Sequence, residues 1–154
     1  MAALRLTVIA HGSDAYREAV ELRHEVLRKP LGLNFTPQQL AAEADALHYA
    51  AYAGERLVAT AYLLPLDPAR AHLRQMAVSP GMRASGVGGA LLAYLEDDAR
   101  RRGYREIVAD ARVSALGFYL KQGYTAHDEV YDHVGLPHRR IHKALIDPKA
   151  ESTR

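Results

Sequence analysis

Residues 79–95 read SPGMRASGVGGALLAYL, with four glycines among the nine positions 81–89 and an apolar helical pattern directly after them. Backbone N–H groups gathered at a helix N-terminus make an anion site. The helix dipole favours negative charge, and glycine lets a phosphate approach without meeting a Cβ. Arg83, Ala84, Ser85, Gly86, Val87, Gly88 and Gly89 therefore form a candidate phosphate cradle. A Walker loop would end in Gly-Lys-Ser/Thr, and no such ending is present. A dinucleotide fingerprint would need a glycine where Leu91 stands, and seven residues separate Val78 from Gly86 where that turn is tight. Asp110, 24 residues after Gly86, lies near where a ribose-binding acid would be, but the chain offers one such unit where a dinucleotide fold uses two.

The eight histidines raise a second chemistry, metal binding, through HDEVYDH (127–133) and HRRIH (138–142). On a strand, ligands five or six residues apart are distant from each other. His138 and His142, at i and i+4, pair up only on a helix, which Pro137 and the strand-like pattern disfavour. No metal is expected.

The elements that must position the cradle follow from periodicity. LRLTVI (4–9) reads as a strand; the helix after it is capped by Ser13 or Asp14 and shows Ala15, Ala19, Leu22 and Val26 on one face. A short helix is predicted over 37–46, then a hairpin turning at Gly54-Glu55, then a strand in AHLRQMAVS. Val87, Leu91, Leu95 and Ala99 mark the buried face of the central helix, which Arg100, Arg101, Arg102 and Gly103 close. EIVAD is a strand; SALGFYLKQG is a helix capped by Ser114 and ended by Gly123. Two late strands, YTAHDEVY and HRRIHKALI, are joined by a Gly-Pro-containing loop. The order β-α-α-β-β-β-α-β-α-β-β is an α/β (α+β) mixture around a mixed sheet.

Composition sets outer bounds. The 154 residues suit one domain with a sizeable core, 49% hydrophobic and 25% charged. A net charge of +2, from 20 basic and 18 acidic residues, is too balanced to argue for nucleic acid or a membrane surface. The apolar stretch in MAALRLTVIAHG is too short for a signal peptide, and LVATAYLLPL is about half of what a bilayer needs. The absence of cysteine fits a reducing, cytoplasmic location. Residues 1–147 are expected to form the domain, and 148–154 a flexible polar tail.

The segment Arg83-Ala84-Ser85-Gly86-Val87-Gly88 resembles the R/Q-x-x-G-x-G/A motif of the GNAT superfamily of acyl-CoA-dependent N-acyltransferases. RQMAVSPGMR resembles that family's fourth strand and its bulged exit, and SALGFYLKQGY (114–124) its second motif. The late EVYDHVGLPHRRIHK is similar to a subgroup with a Gly-Ile/Leu-Pro-His loop before the last strand.

The resemblance implies a mixed sheet of about six or seven strands with about four helices, splayed between strands four and five to admit acetyl-CoA as co-substrate. It implies that backbone groups of Met76, Ala77 and Val78 bond the pantetheine arm, that the amides from Arg83 to Gly89 hold the pyrophosphate, and that Ser114, Phe118 and Tyr119 also face the coenzyme. Tyr119 matches the tyrosine the family places beside the sulfur as general acid, with Leu116 and Leu120 expected to anchor its helix. Many relatives carry a glutamate on the fourth strand, but HLRQMAV has none. Glu129 is ranked first as base and Asp110 second, acting through water; His24 and His138, with Asp110 and Glu129, are candidates to line the acceptor pocket. The implied activity is transfer of acetyl to a primary amine of a small molecule or peptide. A non-catalytic coenzyme-A-binding or sensor protein on the same fold is the alternative. A homodimer is common in the family, and the acceptor itself is not legible.

Overall fold

The computed structural model describes residues 3–145. The elements run β1 (Leu4–Ile9), α1 (Asp14–Arg23), α2 (Pro37–Ala41), β2 (Leu47–Ala53), β3 (Arg56–Pro65), β4 (Arg70–Val78), α3 (Val87–Arg101), β5 (Glu106–Arg112), α4 (Leu116–Lys121), β6 (Thr125–His133) and β7 (Leu136–Ala144). The seven strands form one mixed sheet in the order β1-β2-β3-β4-β5-β7-β6. Among the described residues, no helix is long and apolar enough to cross a membrane. The predicted element order holds, and the expected tail 148–154 lies outside the described residues.

Contacts gather the chain into two compact units, Met1–Leu64 with Arg74–Leu95, and Pro65–Leu73 with Glu96–Arg154. In the first unit β1 and β2 pair antiparallel, as do β2 and β3 across the Gly54 turn. The apolar runs of β2 and β3 are buried along most of their length, as expected of central strands covered on both faces. Ser13 caps α1 by accepting the Tyr16 N–H at 3.1 Å. Ala19 is buried, while Ala15 and Leu22 pack against the cluster of Ile9, Ala19, Ala50, Tyr52 and Leu57. Val26 departs from the expected face. After Arg23 the backbone widens into a π-helical turn, His24–Arg28, which shifts the register and buries none of its residues. The second helix ends at Ala41 rather than 46; its start is set by a full capping box between Thr36 and Gln39.

Val87, Leu91 and Leu95 of α3 are each fully buried, as their spacing predicts, and each contributes about 1.5–3 kcal/mol of apolar burial. These residues fix the helix whose N-terminus the glycine loop opens.

In the second unit β4 pairs parallel with β5 over four positions, Arg70↔Glu106 to Leu73↔Ala109. β5 continues antiparallel to β7 as far as Arg112↔His138. Gly103 ends α3 at φ +98, with the Tyr104 N–H reaching back to Ala99 O at 3.0 Å. The late hairpin corrects one expectation. Leu136, Pro137 and His138 belong to β7 and pair with His133, Asp132 and Tyr131, because Val134 and Gly135, both at positive φ, complete a two-residue turn by themselves.

Candidate active site

The candidate residues fall into two groups. The first occupies β4, the loop after it and the start of α3. Gln75, within β4, has φ +54, a left-handed conformation that costs a non-glycine residue about 1–2 kcal/mol, just before Met76, Ala77 and Val78. Ala77 is buried, whereas Met76 and Val78 are half-buried.

Ser79 turns the chain off the sheet. Its N–H donates to Val58 O at 2.8 Å, and its Oγ accepts from Arg56 Nη2 at 3.1 Å. Pro80–Met82 form one tight helical turn. The Ser85 hydroxyl then donates to Met82 O at 2.6 Å, while its Oγ accepts the Val87 N–H at 3.4 Å. Gly86 takes φ +83, and a Cβ built there would meet no atom within 4 Å. Arg83, Ala84, Ser85 and Gly86 are all exposed. The bond from Ala90 N–H to Gly86 O, 3.1 Å, is the first rung of the α3 ladder, so the amides of Val87, Gly88 and Gly89 precede it. An exposed, positive-φ glycine facing open space before a row of helix-initiating amides fits a diphosphate; the Val87 side chain is core, so only its backbone could take part.

The second group centres on α4. Ser114 does not cap this helix: Val113–Ala115 form a tight turn that moves the N-cap to Ala115, which makes no side-chain cap bond, and Ser114 is exposed. Leu116 is buried, but Leu120 is 50% exposed and anchors nothing. The second anchor is Tyr124, brought to the core by Gly123 at φ +91. The Tyr124 hydroxyl donates to Glu96 Oε2 at 2.9 Å, and Lys143 Nζ donates to Glu96 Oε1 at 2.8 Å and Gln122 O at 2.7 Å. Tyr119 is held between Phe118 and Tyr124, with ring centroids 5.1 and 5.7 Å away. Burial pushes its phenol up to about 12, so it keeps its proton across the neutral range.

Asp110 sits at the hub of a polar cluster in the second unit. Its Oδ2 is 3.1 Å from His72 Nε2, its Oδ1 forms an ion pair with Arg140 Nε at 3.0 Å, and the Tyr131 hydroxyl donates to Oδ1. Burial pushes the carboxyl up, but the Tyr131 hydrogen bond with the charges of Arg140 and His72 outweighs it and holds Asp110 below the usual carboxylate range. His138 is buried, its Nδ1 2.9 Å from Leu136 O, with its ring against Tyr131 and His133. Glu129 is exposed on β6, within the irregular pairing between Ala126 and Val130.

His24 lies in the π-helical turn and lines a cavity of about 480 Å3 with Glu21, Glu25, Phe35 and Leu40. Phe35 is fixed by two guanidinium groups, Arg23 at 4.7 Å and Arg28 at 4.8 Å. Arg23 is itself buried, bidentate to Glu43 at 2.7 and 2.6 Å, and Glu43 also accepts the Tyr16 hydroxyl at 2.8 Å. Neither His72 nor the Arg23–Glu43 pair stood out in the sequence; their partners lie 38 and 20 residues away in the chain.

A profile of the acetyltransferase (GNAT) family matches residues 13–124. The chain belongs to that family and is an acyltransferase. It is 28% identical over 137 residues to the uncharacterized N-acetyltransferase YjcF of Bacillus subtilis (strain 168), covering 88% of this chain and 97% of that protein. Among solved structures, a candidate N-acetyltransferase from Lactobacillus plantarum superposes with a TM-score of 0.82 at 21% identity, covering 94% of this chain and 99% of that one. An aminoglycoside 6'-N-acetyltransferase complexed with coenzyme A gives 0.77 at 16% identity, over 93% and 98%.

Proposed function

We propose that this chain transfers an acetyl group from acetyl-CoA to a primary amine of a small molecule or peptide. The carrying observation is the exposed loop ending in Gly86 at φ +83, which opens α3 with amides that precede the helix ladder, in a member of a family that uses acetyl-CoA. When bound, acetyl-CoA supplies the activated acyl group as a thioester. The residues from Arg83 to Gly89 hold its diphosphate, and Met76, Ala77 and Val78 offer backbone groups to the pantetheine arm. Ser114 and Phe118 border the coenzyme. Tyr119 donates a proton to the departing thiolate, for which a phenol protonated at every physiological pH is suited. His24, in the cavity beside Phe35, is proposed to meet the acceptor, and an amine-binding role is proposed for His138 as well.

Two measurements test this reading. Coenzyme A should raise the melting temperature more than NAD or ATP does, and acetyl-CoA with a panel of primary amines should release free thiol. Stabilisation without release by any amine would instead point to a coenzyme-A sensor. Gly86→Ala is expected to weaken coenzyme A binding about tenfold by calorimetry and to cost about 1–2 kcal/mol of stability, since alanine resists a positive φ. Gly54→Ala, at φ +63 in the β2–β3 turn, should cost similar stability but leave coenzyme binding unchanged. Equal affinity losses in the two variants would remove the loop from the binding site.

A further inference from the structure

We infer that Glu96 and Lys143 are positioning residues that fix the direction of the Tyr119 phenol. The inference rests on the acyl-transfer reading above, which makes Tyr119 the proton donor, and adds the residues that hold it.

α4 does not hold Tyr119 in place by itself. Its six residues are too few for a helix to persist without outside support. Its N-cap, Ala115, makes no side-chain bond, and Leu120 is exposed. The support comes at the C-terminal end. Tyr119 O accepts the backbone N–H of Gln122 at 3.0 Å and that of Tyr124 at 3.1 Å. Tyr124 also sets its ring edge-on to the Tyr119 ring, at 71°. One residue thus grips Tyr119 through both its backbone and its ring.

Tyr124 is held in turn by two charged groups from other elements. Glu96 of α3 is buried and accepts the Tyr124 hydroxyl on Oε2. Lys143 of β7 donates to Glu96 Oε1 and to the carbonyl of Gln122, the C-cap of α4. A cation there also opposes the negative end of the helix dipole. Lys143 Nζ lies 5.6 Å from the centroid of the Tyr124 ring, and a Cβ at Gly123 would stand 3.4 Å from Lys143 Cε. The lysine stem therefore lies against the turn that carries the chain from Tyr119 to Tyr124. A buried carboxylate with an ammonium on one oxygen and a phenol on the other is satisfied in few arrangements, so the clamp specifies where Tyr124 sits. Through Tyr124 it specifies the direction of Tyr119. A reacting group displaced by about 1 Å loses rate steeply.

Apolar burial of Tyr124 would by itself keep α4 on the sheet, so the test must separate holding the helix from aiming the phenol. Two variants loosen the clamp differently. Lys143→Met removes the bonds to Glu96 and Gln122. Tyr124→Phe removes the hydroxyl that Glu96 holds but keeps the ring and the Glu96–Lys143 pair. In thiol release with the amine panel, each should lower kcat about tenfold and change KM for acetyl-CoA less than about twofold. In a Tyr119→Phe background the same changes should cost less than about twofold further, because the phenol they aim is already gone. Equal losses in the two backgrounds would make the clamp a general support and overturn the inference, as would an unchanged kcat in either variant. If Lys143→Met does not fold, Tyr124→Phe carries the cycle alone.

A second measurement needs no acceptor. With the tyrosine rings of the full chain labelled with 13C, NMR should show cross-relaxation between the Tyr119 and Tyr124 rings. In Lys143→Met that contact should weaken, and in both variants the Tyr119 ring signals should shift or broaden while the melting curve stays cooperative. Tyr119 signals identical to wild type in both variants overturn the inference. A wild-type protein that releases no thiol with any amine, or a Tyr119→Phe variant with full turnover, would instead fail the reading of Tyr119 as acid. The ring signals would still decide whether Glu96 and Lys143 fix its direction.

Discussion

Tyr119→Phe is expected to lower kcat for thiol release by at least about tenfold, about 1.4 kcal/mol of barrier, while coenzyme A affinity changes less than about twofold. The ring would keep its place, because its supports are the faces of Phe118 and Tyr124 rather than its hydroxyl alone. What the substitution removes is the proton offered to the departing thiolate. The phenol lies up at about 12, so the wild-type rate should show no basic limb from this group below about pH 11, and the deficit of the variant should be the same at every pH from 6 to 9. Steady-state kinetics with calorimetry on the same samples checks both halves. An unchanged turnover number would retire the acid role, and a deficit confined to KM would make Tyr119 a binding residue.

Glu43→Gln is expected to cost about 3–5 kcal/mol of stability. Arg23 is 1% exposed and its guanidinium meets Glu43 at two points, so the variant leaves a buried cation without its counter-ion. The Tyr16 hydroxyl loses a charged acceptor at the same time. For a chain of this size that corresponds to a fall of about 6–20 °C in Tm. Replacing the pair together, Arg23→Met with Glu43→Leu, should recover most of the loss, because two uncharged groups need no compensation. Urea unfolding of the single and double variants measures this. A single-variant cost below about 1 kcal/mol would mean that water reaches Arg23 and that the pair does not organise α1. Because Arg23 also supports Phe35 against the cavity that His24 lines, a folded Arg23→Met single variant should raise KM for the amine more than KM for acetyl-CoA.

What could be read in advance was what depends on local chemistry. The face of Val87, Leu91, Leu95 and Ala99 is buried because a 3.6-residue period allows little else, and Gly54, Gly103 and Gly123 all adopt the positive φ that their turn and cap positions require. The misreadings came where neighbouring geometry overrode local preference. A π-helical turn after Arg23 displaced Val26, and a tight turn over Val113–Ala115 took the capping position away from Ser114. Tyr124 took the anchoring place expected of Leu120, because a six-residue helix closed by Gly123 sends the residue after the turn into the core. The Asp110 cluster was invisible for another reason. Its members come from β4, β5, β6 and β7, and only pairing across the sheet brings them together. The same holds for Arg23 and Glu43, whose ion pair depends on how α2 and the turn after it fold back toward α1.

The central claim is that the amides opening α3 bind a diphosphate. Titrating coenzyme A into 15N-labelled protein and following each backbone amide measures it most directly. Val87, Gly88 and Gly89 should show the largest shifts of any amides in the chain, saturating at the calorimetric Kd, with inorganic pyrophosphate moving the same signals in the same direction. Coenzyme A that binds while those three amides stay in place would contradict the account.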